Sequence, residues 1–251
     1  MIPARIGSQR FPRKVLARET GKFLLQHVWE GVQGTPGVDR VVIATDSEEV
    51  LQAARSFGAE VWLTSPDHPS GTDRVAEVAR SLTEPIIVNV QGDEPLIRPE
   101  DVALVVDLFD DADDGVVMTT LAVERRDAQG KLDPNNVKVV RDLRGRALYF
   151  SRAPIPVIRD GGGDGEPWLH HIGIYGFRRE FLLAFAGLPQ GRLERLERLE
   201  QLRTLENGFG IQVGITPRRY RGIDTPIEYR EFVRECLGTG GAAASPPAPG
   251  R

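Results

Sequence analysis

The sequence is poor in cysteine, having Cys236 alone, which excludes an internal disulfide framework and any cysteine-rich zinc site. It has no apolar run near the roughly 20 residues that cross a bilayer, and no apolar signal-peptide core at its N-terminus. These absences predict a cytoplasmic protein with no membrane partner. Positive charge is not in surplus either: 32 Lys and Arg against 36 Asp and Glu leave a net charge of −4, which excludes a general nucleic-acid binder. There is no Walker loop at Gly21-Lys22, where Phe23 follows instead of Ser or Thr and Leu16 stands where the first glycine belongs. What is there, 40% apolar and 27% charged residues over a length of 251, is a soluble globular chain with a sizeable core.

Its cations are concentrated at the front. Arg5, Arg10, Arg13 and Lys14 repel one another unless an anion sits among them, and Gly7 and Ser8 allow backbone N–H groups to approach the same anion. The residues alone leave two readings open, a phosphate cradle or a solvated basic arm.

Further along, strand and helix patterns alternate. Leu24, Leu25, Val28, Trp29 and Val32 form a helical stripe within residues 22–33, with His27 beside it as a packing or surface residue. Strands are predicted at 38–46, 59–64, 86–93 and 116–123, with helices at 46–57, 75–81 and 99–108. Asp46 and Glu49 suggest a capping box for the first of these helices. This alternation specifies a mostly parallel, Rossmann-like sheet covered on both faces, a three-layer α/β/α fold, with ligands at the carboxyl ends of its strands. Arg5, Asp46 and Asp93 stand at those ends. After residue 134 the pattern becomes β-rich: 137–141 and 146–152 flank the turn Asp142-Leu-Arg-Gly145, and 170–177 is another strand. Residues 192–206 place a leucine at every third position and predict one amphipathic surface helix laced by Glu–Arg pairs. A strand at 211–215 and a helix opened by Asp224-Thr-Pro226 follow, and residues 238–251 have the composition of a disordered tail. The expected organisation is one domain over 1–237, with a subregion at about 134–206. The strand leading into Arg5 has only three or four residues, fewer than a central strand usually has, which predicts a native start upstream of Met1.

Several motifs carry a resemblance. Pro3-Ala-Arg5 with Ser8, Arg10, Pro12 and Lys14 is similar to the nucleotide-binding signature of cytidylyltransferases that activate acidic sugars. Ser70-Gly-Thr-Asp-Arg74, Val88-Asn-Val-Gln-Gly-Asp-Glu-Pro95, Asn136-Val-Lys138, Tyr149-Phe-Ser-Arg152, His171-Ile-Gly-Ile-Tyr175, Leu199-Glu-Gln-Leu-Arg203 and Gly222-Ile-Asp-Thr-Pro226 narrow it. Over residues 2 to 236 the chain resembles the 3-deoxy-manno-octulosonate (Kdo) cytidylyltransferases, departing at the short first strand, at Phe11 in place of Leu, and in the tail.

The resemblance implies that CTP and Kdo react to CMP-Kdo and pyrophosphate, with Mg²⁺ as cofactor, for lipopolysaccharide synthesis. It implies that Arg5, Ser8, Arg10 and Lys14 hold the triphosphate, that Ala44, Thr45, Ser70 and Gly71 form the pyrimidine pocket, and that Asp93 and Asp224 bind the metal. Without it, Asp224 reads as a helix N-cap. Arg74, Gln91, Arg152, His171, Tyr175, Glu200 and Gln201 resemble the sugar-binding set, although Arg152 and Tyr175 read equally well as packing residues. A homodimer built through the second-half strands and helices is also implied. The competing expectations are activation of another acidic sugar, of sialic acid or 8-amino-Kdo type, and a metal-dependent glycosyltransferase.

Overall fold

A computed structural model describes residues 1–8, 10–159, 165–218, 220 and 222–238. Its strands are β1 (Ile2–Ala4), β2 (Val42–Thr45), β3 (Glu60–Leu63), β4 (Ile86–Asn89), β5 (Val116–Arg125), β6 (Lys138–Arg141), β7 (Ala147–Ser151), β8 (Trp168–Arg178) and β9 (Gly210–Ile215). Its helices are α1 (Leu24–Val32), α2 (Glu48–Ser56), α3 (Gly71–Ala79), α4 (Pro99–Asp107), α5 (Ala128–Leu132), α6 (Arg179–Phe185), α7 (Arg192–Glu197), α8 (Leu202–Glu206) and α9 (Pro226–Cys236). No helix among the described residues is long and apolar enough to cross a membrane.

Strands β1, β2 and β3 pair in parallel. The Met1 amine donates to the Val88 carbonyl at 2.8 Å and the Val90 N–H donates to the Met1 carbonyl at 3.0 Å, which joins β1 to β4 as a parallel neighbour. Long β8 runs antiparallel to β4 and β5, and β9 pairs in parallel with β5. The sheet order is therefore β3-β2-β1-β4-β8-β5-β9, mostly parallel with β8 reversed. The β6–β7 hairpin leans on the first half of β8, where Lys138 pairs with His170 and Val139 with Leu169.

Alternation along the strands sorts side chains into two cores. Ile43 packs with Leu25 and Val28 of α1, Val50 of α2 and Val105 of α4. Its neighbours Val42 and Ala44 pack on the opposite face with Val75 and Ala79 of α3, Leu182 of α6 and Leu202 of α8. A period of two in the strands thus yields the α/β/α layering.

The structure corrects several expected boundaries. The cap of α2 is Ser47, which accepts from the Val50 N–H, while Asp46 pairs with Arg74 instead. Helix α3 starts at Gly71 rather than Val75, because the Ser70 hydroxyl accepts the Asp73 N–H at 3.2 Å. Helix α9 is capped by Thr225 in a reciprocal box with Glu228, so Asp224 is not the cap.

The stretch at 192–206 is broken and not one surface helix. It comprises α7, Arg198 in the left-handed region (φ 52) and α8. Tertiary contacts override the helical pattern. Glu197 takes the Ser151 hydroxyl at 2.6 Å and the Arg152 N–H at 2.9 Å, which draws the chain against β7. Glu194 and Arg203 form a buried two-pronged ion pair, with contacts of 2.8 and 2.6 Å. The expected disordered tail lies outside the described residues, apart from Gly238.

The Glu194–Arg203 pair makes a stability prediction. Removing one partner leaves the other charge buried and unmatched, so Glu194→Ala is expected to lose about 3–5 kcal/mol of unfolding free energy. Glu194→Leu combined with Arg203→Met is expected to lose less, because no bare charge remains. Urea titration of both variants measures the difference.

Candidate active site

The carboxyl ends of β1 and β4 open into a cavity of about 630 Å³. Beyond β1 the chain folds back on itself: the Ile6 carbonyl accepts the Ser8 N–H at 3.0 Å and the Arg13 N–H at 3.2 Å. This loop lines the cavity with Arg5, Gly7, Ser8, Arg10 and Lys14. Phe11 anchors the loop against Tyr229 of α9, with ring centroids 5.4 Å apart, and the Glu19 N–H donates to the Tyr229 hydroxyl at 2.9 Å.

Across from the loop lie Asp93, just after β4, and Asp224, just before α9. The Lys14 ammonium donates to Asp93 at 2.5 Å, to Asp224 at 3.0 Å and to the Ile223 carbonyl at 3.0 Å. Arg10 donates to the other Asp224 oxygen at 2.7 Å. Two carboxylates distant in sequence therefore face one cation position. Burial opposes the charge on Lys14, but Asp93 and Asp224 outweigh it and hold its pKa above the ordinary lysine value. The turn carrying Asp93 can sit this deep only because residue 92 is glycine: a Cβ there would stand 2.8 Å from the Pro3 carbonyl.

Behind these aspartates, Glu94 has one carboxylate oxygen buried without a partner among the described residues. Burial pushes its pKa up to about 8, and the charges of Asp93 and Asp224 add to the shift. It is a protonated neighbour of the charged pair. The paired acids in Gln91-Gly-Asp-Glu94 were the available sequence signal for it, and sequence reasoning passed it over.

The third wall is the start of α3. Ser70, Gly71 and Arg74 line it, with Gln91 opposite Gly71. Arg74 is buried and committed inward, to Asp46 at 2.7 Å, to the Thr64 hydroxyl and to the Ser65 carbonyl. His68 and Pro69 complete this wall. Sequence reasoning missed both, since they sit in a loop with no periodicity to mark it.

The cavity thus gathers Arg5, Ser8, Arg10, Lys14, Ser70, Gly71, Arg74, Gln91, Asp93 and Asp224. It does not gather Ala44 and Thr45, which are fully buried in β2; the Thr45 carbonyl is taken by the Thr64 N–H at 2.8 Å. Nor do Arg152, His171, Tyr175, Glu200 and Gln201 line it.

Of that second group, Glu200 is reached from the cavity by a chain of hydrogen bonds. Gln91 donates to Asn89 at 3.4 Å, Asn89 to Thr72 at 3.3 Å, and Thr72 to Glu200 at 2.6 Å. A register shift where β5 meets β8 brings the His171 and Tyr175 rings to 5.5 Å, and the Thr120 hydroxyl lies 3.0 Å from His171 Nε2. Burial, with His170 adding, lowers the His171 pKa to about 3, so the ring is neutral. Burial raises Tyr175, with Glu200 adding, and it raises Glu200 against the hydrogen bonds from Thr72 and Ser70. Gln201 is buried with its Nε2 unpartnered among the described residues.

Arg152 has a structural place, donating to the Glu197 carbonyl at 2.7 Å and the Pro134 carbonyl at 2.9 Å. Buried Lys138 seals the same corner by donating to the carbonyls of Asp133, Asn136 and Arg152.

Comparison with known proteins identifies the chain's relatives. The cytidylyltransferase family profile matches residues 1–215. A 3-deoxy-manno-octulosonate cytidylyltransferase of Solibacter usitatus is 52% identical over 235 residues, 93% of this chain and 92% of that one. One from Halorhodospira halophila is 48% identical over 250 residues, 95% and 96% of the two chains. A solved structure of CMP:2-keto-3-deoxy-manno-octonic acid synthetase complexed with CTP superposes with a TM-score of 0.89 at 39% identity, covering 95% of this chain and 97% of that one.

The site generates a prediction about pH and stability. In the fold Glu94 ionises only near 8, against 4.5 when unperturbed, so between those values the folded chain holds a proton that the unfolded chain has released. Its contribution to stability is complete below the lower value and is lost as pH rises toward the upper one. Glu94→Gln, which imitates the protonated acid, is expected to flatten the decline in stability across that window. Urea midpoints measured in metal-free buffer at several pH values check it.

Proposed function

Because the chain belongs to the 3-deoxy-manno-octulosonate cytidylyltransferase family, we propose that it transfers the cytidylyl group of CTP to Kdo, giving CMP-Kdo for lipopolysaccharide synthesis. The anomeric hydroxyl oxygen of the sugar attacks the α-phosphorus. The bond to the bridging oxygen breaks, pyrophosphate leaves, and the hydroxyl proton passes to solvent or to a phosphate oxygen. The observation that carries this reading is the meeting of Lys14, Arg10, Asp93 and Asp224 at one end of the cavity.

Each residue has a derivable task. Arg5, Arg10 and Lys14 offset the charge that gathers on the departing pyrophosphate, and Ser8 adds a hydroxyl donor. Ser70 and Gly71 present a wall suited to a pyrimidine. Asp93 and Asp224 fit Mg²⁺: they are hard oxygen donors already facing one cation, and two carboxylates leave positions for water and phosphate oxygens. Bound there, Mg²⁺ would supply charge neutralisation and acidify the attacking hydroxyl.

Gln91 begins the hydrogen-bonded path to Glu200, which with His171, Tyr175 and Gln201 makes up the proposed sugar side. The unpartnered Gln201 amide supports that assignment, since a buried donor without an acceptor is unfavourable until a ligand supplies one. Arg74 lines the cavity itself, and Arg152 closes the hairpin corner. The lone cysteine fits a cytoplasmic setting. The chain is proposed to work as a homodimer, supported by the exposed leucines Leu143 and Leu148 on the β6–β7 hairpin, whose strand β7 ends the run of pairings.

Pyrophosphate is expected only when CTP, Kdo and Mg²⁺ are all present; release from a sialic acid instead would redirect the assignment. Asp93→Asn should abolish turnover with circular dichroism unchanged. Lys14→Ala should lose about 2–4 kcal/mol of transition-state stabilisation, read as kcat/KM. Leu148→Asp is expected to shift the protein to a monomer in sedimentation velocity; an unchanged mass would place the interface elsewhere.

A further inference from the structure

The loop at 65–70 carries an imidazole as well as the hydroxyl of Ser70. His68 lines the cavity, and its Nε2 is hydrogen-bonded to Oε2 of Glu77. The same Glu77 oxygen accepts the Ser65 N–H at 3.0 Å, while Arg74 Nη1 takes the Ser65 carbonyl at 3.3 Å. Two side chains one turn apart on α3 therefore grip the loop at a single residue, and Glu77 extends that grip to the imidazole. Burial alone would raise Glu77, but the hydrogen bonds from His68 and Ser65 outweigh it and hold the carboxyl below its usual range. An ionised carboxylate only accepts, so the ring hydrogen lies on Nε2. In the neutral ring the other nitrogen, Nδ1, is then a bare acceptor. The cations of this cavity, Arg5, Arg10, Lys14 and Arg74, all donate. His68 offers the opposite polarity, in the same wall as Ser70 and Gly71.

We propose that His68 is a base-reading residue whose Nδ1 accepts a hydrogen from the exocyclic amine of cytosine, and that Glu77 is a positioning residue that fixes the tautomer and the loop. Uracil carries a carbonyl oxygen where cytosine carries that amine, and would set lone pair against lone pair. This inference rests on the cavity being a CTP site, and it adds what makes that site prefer CTP to UTP.

Calorimetric titration of the full chain with CTP, UTP and 2′-deoxy-CTP, without sugar, tests it. The unsubstituted protein is expected to prefer CTP to UTP. His68→Phe should weaken CTP about tenfold and leave UTP nearly unchanged. His68→Asn, whose side-chain oxygen lies near the Nδ1 position, should restore much of the preference. Glu77→Ala should narrow the CTP-to-UTP ratio, and Glu77→Gln, which keeps one acceptor oxygen for Ser65 and His68, should recover it in part.

Equal weakening of both nucleotides in His68→Phe would mark a structural residue and overturn the proposal. So would a change confined to the ratio of CTP to 2′-deoxy-CTP, which would assign the contact to the ribose. If His68→Phe does not fold, the smaller His68→Ser is read in the same way. Failure here is separable from failure of the proposed reaction. CTP preference without Kdo-dependent pyrophosphate would sink only the reaction, and pyrophosphate release by a protein indifferent to CTP and UTP would sink only this inference.

Discussion

Everything in the site depends on one buried ammonium group held between two carboxylates. Lys14 reaches Asp93 on the turn after β4 and Asp224 on the turn before α9, and its third hydrogen bond goes to the Ile223 carbonyl. Three segments remote in sequence are thereby pinned to one atom. The contact is reinforced around its edge, where the Ile223 N–H donates to the Asp93 carbonyl at 2.9 Å and Phe11 packs on Tyr229. A protonated Glu94 behind the pair keeps a third negative charge out of the cluster. With Arg10 also paired to Asp224, the cluster is close to locally neutral before any nucleotide arrives, and Arg5 adds positive charge in the loop in front.

The layered sheet explains why this can happen at the strand ends. Its two faces are consumed by the two cores, so functional groups are left to the turns. Gly92 lets one such turn pass against β1, and Ser70 starts α3 early enough for its first turn to become a wall. The proposed sugar side is built differently. A register shift between β5 and β8, rather than a loop, brings His171 to Tyr175 and burial removes the ring's charge. Cationic turns on one side and a neutral polar layer on the other suit a triphosphate and a hydroxyl-rich sugar respectively.

Much of this was legible in the sequence. Strand–helix alternation specifies the sheet and its ligand edge, and the clustered cations and separated aspartates meet where that edge predicts. What was not legible depended on contacts between distant residues. Asp46, Ser47, Asp224 and Thr225 are all suitable caps by type, and only the fold selects Ser47 and Thr225, releasing the aspartates for Arg74, Arg10 and Lys14. The leucine period at 192–206 reads as one helix because periodicity is blind to the pull of Ser151 and Arg152 on Glu197. Arg152 and Lys138 are polar residues of a motif, yet their hydrogen bonds close a corner of the hairpin. His68 lay in a proline-flanked loop whose importance comes only from α3 reaching back to it.

The broken helix also carries a lesson about sequence identity within one chain. Arg-Leu-Glu occurs three times in succession from residue 192, and the three copies share no environment. The first gives Glu194 to a buried guanidinium, the second gives Glu197 to the hairpin, and the third gives Glu200 to Thr72 beside the cavity. Excising any one triplet yields the same shortened string of letters, so no comparison of sequences could say which copy had gone. The folded molecule would be left with two carboxylates for three addresses, because here meaning belongs to address and not to spelling.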